Sequence, residues 1–166
     1  QQHYIPRMEW AANSSQLIIE QFNRKQNEIK IMYCDAASGA TNEIYTESDK
    51  AWVDNKNAWS DERFSNHWEW VKDGKAFLWV SEKDGWRHIF LISRDGKNQT
   101  LLTDGDYDII TLKGYDDKSG YVYFMASPDN ATQSYLYRVK MDGKSKAERL
   151  SPADESGTHD YDLSTN

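Results

Sequence analysis

Apolar and polar positions along this chain fall into short runs separated by polar or glycine-containing turns, and the same grouping appears three times. In the first unit an apolar-rich run at 17–22 is followed by polar residues 23–27, a second run at 29–34, a turn at Ser38-Gly39 and a closing run Glu43-Ile44-Tyr45. The second unit has runs at 76–80 and 86–93, turns at Asp84-Gly85 and Asp95-Gly96, and closes on Thr100-Leu101-Leu102. The third has runs at 121–126 and 135–139, a loop at 127–132, a turn at Asp142-Gly143, and closes on residues 147–150. One further candidate run precedes each unit, at 5–10, 68–71 and 107–114. Runs of this length bounded by Gly, Asn and Asp read as antiparallel strands joined by tight turns.

The stretch Ile89-Phe90-Leu91-Ile92 does not alternate at all. A strand with one wet face alternates apolar and polar residues, so this one is expected to be covered on both faces. Turn glycines at 39, 96 and 143 space the units 57 and 47 residues apart, close to the period of a propeller blade. A β-sandwich is the competing arrangement, but its strands should show cleaner alternation. The expectation is an all-β chain forming a partial β-propeller of about three four-stranded antiparallel blades. They would span 4–50, 67–104 and 107–151, with an insertion at 51–67 and the start of a further blade at 157–166. Closed propellers have about four to eight blades, so the fragment should present raw blade edges and associate with itself through them.

Composition narrows the picture. The chain of 166 residues suits one domain, and seven Trp and ten Tyr against three Pro favour a folded β-rich domain over disorder. A net charge of −7 with no basic cluster argues against nucleic acid as a partner. Cys34 is the single cysteine, which leaves no intrachain disulfide and no cysteine-based zinc site. No run has the length of a transmembrane helix, and Gln1-Gln2-His3-Tyr4 lacks the features of a signal peptide, so the start is expected to be a cut within a domain or an engineered boundary.

Candidate chemistry is sparse. There is no Gly-x-Ser-x-Gly elbow, phosphate loop, dinucleotide fingerprint or His-Glu-x-x-His helix. Metal and cofactor sites are not expected, since His3, His67, His88 and His159 are scattered, and His88 reads as a structural hydrogen-bonding group. Asp104, Asp106 and Asp108 resemble the start of a calcium loop, but Ile109 stands where glycine is needed and Tyr115 where a glutamate is needed. The insertion at 51–67 places Trp52, Trp59 and Phe64 among Asp54, Lys56, Asp61, Glu62 and Arg63. That mixture suits a recognition loop, and it equally suits tryptophans plugging the propeller rim or its blade interfaces. Asn13, Asn98 and Asn130 each begin a glycosylation triplet, too short a pattern to carry an inference.

His3-Tyr4, Arg7-Met8-Glu9-Trp10, Trp52-Val53-Asp54 and above all Ser81-Glu82-Lys83-Asp84-Gly85-Trp86-Arg87-His88-Ile89 carry a resemblance across nearly the whole chain. Together they resemble the N-terminal propeller of the dipeptidyl peptidase IV family. Residues 103–109 are similar to that family's Thr-x-Gly-x-Trp-x-Val, with Tyr107 in place of the Trp. The resemblance implies a segment of a periplasmic or secreted serine exopeptidase that removes Xaa-Pro or Xaa-Ala dipeptides. In that family an eight-bladed propeller caps an α/β-hydrolase domain of the same chain and restricts access to small peptides. It also implies a glutamate pair that binds the substrate amino terminus, and no adjacent Glu-Glu occurs here. The catalytic Ser, Asp and His would lie beyond Asn166, so the segment is expected to be inactive alone. The loop after Trp52-Val53 would contribute an aromatic and an arginine to an extended subsite. Phe64 and Arg63 are the candidates, with Phe64 against apolar side chains and Arg63 orienting a carbonyl or carboxylate, beside Trp52 and Trp59. The alternative is a stand-alone propeller that binds proteins or glycans through residues 51–67.

Overall fold

A computed structural model describes residues 2–54 and 68–164. Among these residues it contains strands and turns and no helix. Twelve strands form three antiparallel sheets of four, each in simple meander order. Blade 1 comprises β1 (His3–Trp10), β2 (Gln16–Asn23), β3 (Glu28–Asp35) and β4 (Thr41–Ser48). Blade 2 comprises β5 (Trp68–Val71), β6 (Ala76–Ser81), β7 (His88–Ser93) and β8 (Gln99–Leu101). Blade 3 comprises β9 (Ile109–Asp116), β10 (Tyr121–Ala126), β11 (Tyr135–Lys140) and β12 (Glu148–Arg149).

Side-chain alternation explains how the blades stack. In β6 and β7 one set of side chains, Phe77, Trp79, Phe90 and Ile92, packs with Ile18, Phe22, Ile29 and Ile31 of blade 1. The opposite set, Leu78, Val80, Ile89 and Leu91, packs with Leu112, Val122, Phe124 and Tyr137 of blade 3. The middle sheet is thus covered on both faces, as the unbroken apolar run at 89–92 requires. Each large apolar side chain buried this way contributes about 1.5–3 kcal/mol of transfer free energy.

A recurring set of bonds closes blades 2 and 3 and directs the chain that leaves each of them. The amides of Leu102 and Ile109 donate to the carbonyls of Ile89 and Arg87, and those of Leu150 and His159 donate to Leu136 and Ser134. A hydroxyl takes the same place in both, with the Ile89 amide donating to Thr103 Oγ1 and the Leu136 amide to Ser151 Oγ. His159 therefore stands where Ile109 opens β9. Residues 157–164 form no strand, however, and hold a single parallel bridge between Ser134 and Thr158.

Two boundaries differ from the sequence expectation. Trp86 and Arg87 lie before β7 because the Arg87 amide is taken by Asp108 Oδ1 at 2.7 Å. The glycines at 39 and 96 also sit in different turns. Gly39 donates to the carbonyl of Asp35, four residues back, in the same Asp-x-x-Ser-Gly turn that Asp116 builds with Ser119 and Gly120. Gly96 donates to Ser93, three residues back, so the 57-residue interval joins unlike positions. At the end of β7, Arg94 ties blades 1 and 2 together. Its guanidinium donates to the carbonyls of Ala11 and Gly74 and lies against the rings of Tyr33 and Trp70.

Candidate functional site

The opposite end of the blade 1–blade 2 junction holds a cavity of about 220 Å3. It is built from the end of β4, the segment 51–54 that follows it, and the turn joining β6 to β7. Alternation along β4 turns Tyr45 and Glu47 inward, and both are buried. Glu47 is placed by three donors: the Tyr45 hydroxyl at 2.8 Å, Trp79 Nε1 at 2.8 Å and Ser81 Oγ at 2.7 Å. Two of these come from blade 2, so the carboxylate acts as a hydrogen-bonded bolt between the sheets. Burial first, and then the Glu47 charge, push the Tyr45 hydroxyl well above the ordinary tyrosine range, leaving it a neutral donor.

Lys83 extends the network. Its ammonium donates to the Tyr45 hydroxyl at 3.1 Å and to Gln99 Oε1 at 2.6 Å, and it stands 4.0 Å from the centre of the Phe90 ring. Burial lowers its pKa, against the opposing charges of Glu47 and Asp84. On the other wall the Val53 amide donates to the carbonyl of Gln26 at 2.8 Å, and the Val53 side chain is buried. Anchoring Val53 throws its neighbour Trp52 outward, where it is 65% exposed on the rim. Asp54, Glu82 and Arg87 also line the cavity.

His88, adjacent to the cavity, is nearly sealed: its Nδ1 pairs with Asp84 at 2.8 Å and its ring meets Tyr107 edge-on at 5.8 Å. Among the described residues no serine or cysteine is hydrogen-bonded to it. Among the described residues no three His, Cys, Asp or Glu side chains converge on a metal position. The cavity thus presents an aromatic rim at Trp52 over a floor of mixed charge.

Of the sequence-nominated residues, Trp52 stands exposed on this rim. Trp59, Arg63 and Phe64 lie outside the described residues. Sequence reasoning missed Glu47, Ser81, Lys83 and Arg87. The signal for Glu47 was its spacing of two from Tyr45 in a strand, which puts both on one face.

Comparison with known proteins adds the following. The profile described as "Dipeptidyl peptidase IV (DPP IV) N-terminal region" matches residues 1–166. A probable dipeptidyl peptidase 4 of Emericella nidulans is 27% identical over 133 residues, covering 78% of this chain and 17% of that protein. The inactive dipeptidyl peptidase 10 of Mus musculus is 26% identical over 151 residues, covering 86% of this chain and 18% of its own. The crystal structure of Porphyromonas gingivalis dipeptidyl peptidase 4 superposes with a TM-score of 0.77 at 27% identity, over 94% of this chain and 20% of that one. The chain thus spans about a fifth of the length of the proteins it matches.

Proposed function

This chain belongs to the dipeptidyl peptidase IV N-terminal region family, and we propose that it is the noncatalytic propeller segment of a dipeptidyl peptidase IV-like serine exopeptidase. On this reading it gates and positions peptides for an α/β-hydrolase domain carried elsewhere in the same polypeptide, which releases N-terminal Xaa-Pro or Xaa-Ala dipeptides. The observation that carries it is the cavity between blades 1 and 2, which offers an aromatic rim and fixed charges without a nucleophile–base pair. Trp52 contacts the peptide first, and Trp59, Arg63 and Phe64, which follow it in the chain, extend the contact. The parent protein works in the periplasm or outside the cell, an attribution that rests on the family alone. Exposed blade edges would make the isolated segment self-associate.

The test compares the full-length polypeptide with this segment on a Gly-Pro chromogenic reporter. Dipeptide release by the full-length protein and none by the segment is expected. A full-length protein with no peptidase activity, or a segment with activity of its own, would overturn the reading.

A further inference from the structure

One side chain at the cavity belongs to three connections at once. Arg87 lies in the turn between β6 and β7, and its backbone is held from both sides by the connection that leads into blade 3. Its amide donates to Asp108 Oδ1 at 2.7 Å, and its carbonyl accepts the Ile109 amide at 2.8 Å. Its guanidinium donates from Nη1 to the carbonyl of Ile110 at 3.2 Å. The backbone bonds fix where the side chain starts, and the third bond fixes one prong of its fork.

The rest of the guanidinium lies in the field of Asp54, Glu82 and Asp108. Asp54 and Glu82 share the cavity wall with it. Asp54 follows Val53, whose amide is bonded to the carbonyl of Gln26 in blade 1. Arg87, held by blade 2 and the blade 3 connection, therefore faces the limb that carries Trp52 across the same cavity. A half-buried arginine pays for its desolvation only where carboxylates and carbonyls face it, and its planar, permanently charged fork holds several such groups in one geometry.

We propose that Arg87 is the positioning residue that sets the 52–54 limb over the cavity and so tunes the protein toward extended peptides. The inference rests on the peptidase reading for its substrate and on the structure alone for its geometry, so it is tested by two readouts. The first uses hydrogen exchange at the Val53 amide in the full-length polypeptide. Arg87→Gln should speed that exchange about tenfold, the equivalent of one charge-assisted hydrogen bond, while amides of β2 and β3 keep their protection. Arg87→Lys, which keeps the charge but loses the fork, should fall between the two.

The second readout is kinetic. Arg87→Gln should raise KM for a ten-residue Xaa-Pro peptide by about tenfold with kcat unchanged, and leave KM for the Gly-Pro reporter where it was. Unchanged Val53 exchange in Arg87→Gln overturns the positioning role whatever the kinetics. Faster exchange with an unaltered KM for the long peptide overturns the link to extended substrates. A loss shared equally by both substrates, with β2 and β3 deprotected, would mark Arg87 as a general stabiliser and also overturn it. Failure of the peptidase reading is separate, since wild-type protein would then cleave neither substrate while the exchange measurement still reports on Arg87.

Discussion

Strands β2 and β6 hold the same place in neighbouring blades, yet β2 is buried at every second residue while all six residues of β6 are buried. Their sequences carry part of the difference, since β2 includes Gln16, Glu20, Gln21 and Asn23 whereas Ser81 is the one polar residue of β6. The rest lies in what covers them. Blade 1 meets Phe77 and Trp79 on one side of β6, and blade 3 meets Leu78 and Val80 on the other. β2 is covered where Ile18, Glu20 and Phe22 point, and its other face joins a row of Met8, Ile19 and Met32 beside a row of Trp10, Leu17 and Cys34. Burial along a propeller strand is thus a property of the stack of blades and only partly of the strand.

The sharpest way to break this comparison is to truncate one tryptophan on each side of it. Trp79→Ala, in the doubly covered sheet, should cost about 3–5 kcal/mol, seen as a lowered urea midpoint. Trp10→Ala, on the half-exposed face of β1, should cost less than about 1 kcal/mol in this chain. Equal losses would mean that the packing of blade 2 on blade 1 adds nothing to the burial of Trp79.

Two buried carboxyls of blade 1 extend the contrast. Glu47 receives three hydrogen bonds, whereas neither carboxylate oxygen of Glu20 has a hydrogen-bond partner. Glu47→Ala strands the donors of Trp79, Ser81 and Tyr45 and should cost about 3 kcal/mol in the same measurement. Glu20 behaves in the opposite way. Burial raises its pKa from 4.5 to about 7, against the favourable charge of Arg7 and with a further push from Glu9. Because the folded value lies above the unfolded one, its favourable contribution is complete below pH 4.5 and lost as the pH rises through about 7. Glu20→Gln should therefore stabilise the chain by about 2 kcal/mol at pH 8.5 and by almost nothing at pH 4.5, read from unfolding curves at the two pH values. A gain of equal size at both would remove the proton linkage. The smallest effect belongs to Met8→Ser on the open face, which should stay within about 0.5 kcal/mol.

Much of the fold was legible in the sequence because strands and turns are local. Gly and Asp punctuation placed the strand runs, and the unbroken run at 89–92 marked the doubly covered sheet. Less legible were features that depend on a second connection. Trp86 and Arg87 look like the start of a strand until Asp108, twenty-one residues after Arg87, takes the Arg87 amide. Glu20 carried a signal that went unread, a charged residue in phase with Ile18 and Phe22 on a buried face. The candidate site was legible only at Trp52. Glu47 and Ser81 are separated by 34 residues and meet only when two sheets stack, which no local pattern encodes.

The most direct measurement compares substrate length in the full-length polypeptide with and without the rim aromatic. If the junction of blades 1 and 2 gates peptides, Trp52→Ala should lower kcat/KM for a ten-residue Xaa-Pro peptide by about tenfold, the scale of one lost aromatic contact, and leave the Gly-Pro reporter unaffected. An unchanged constant for the long peptide, or equal losses for both substrates, would contradict the account.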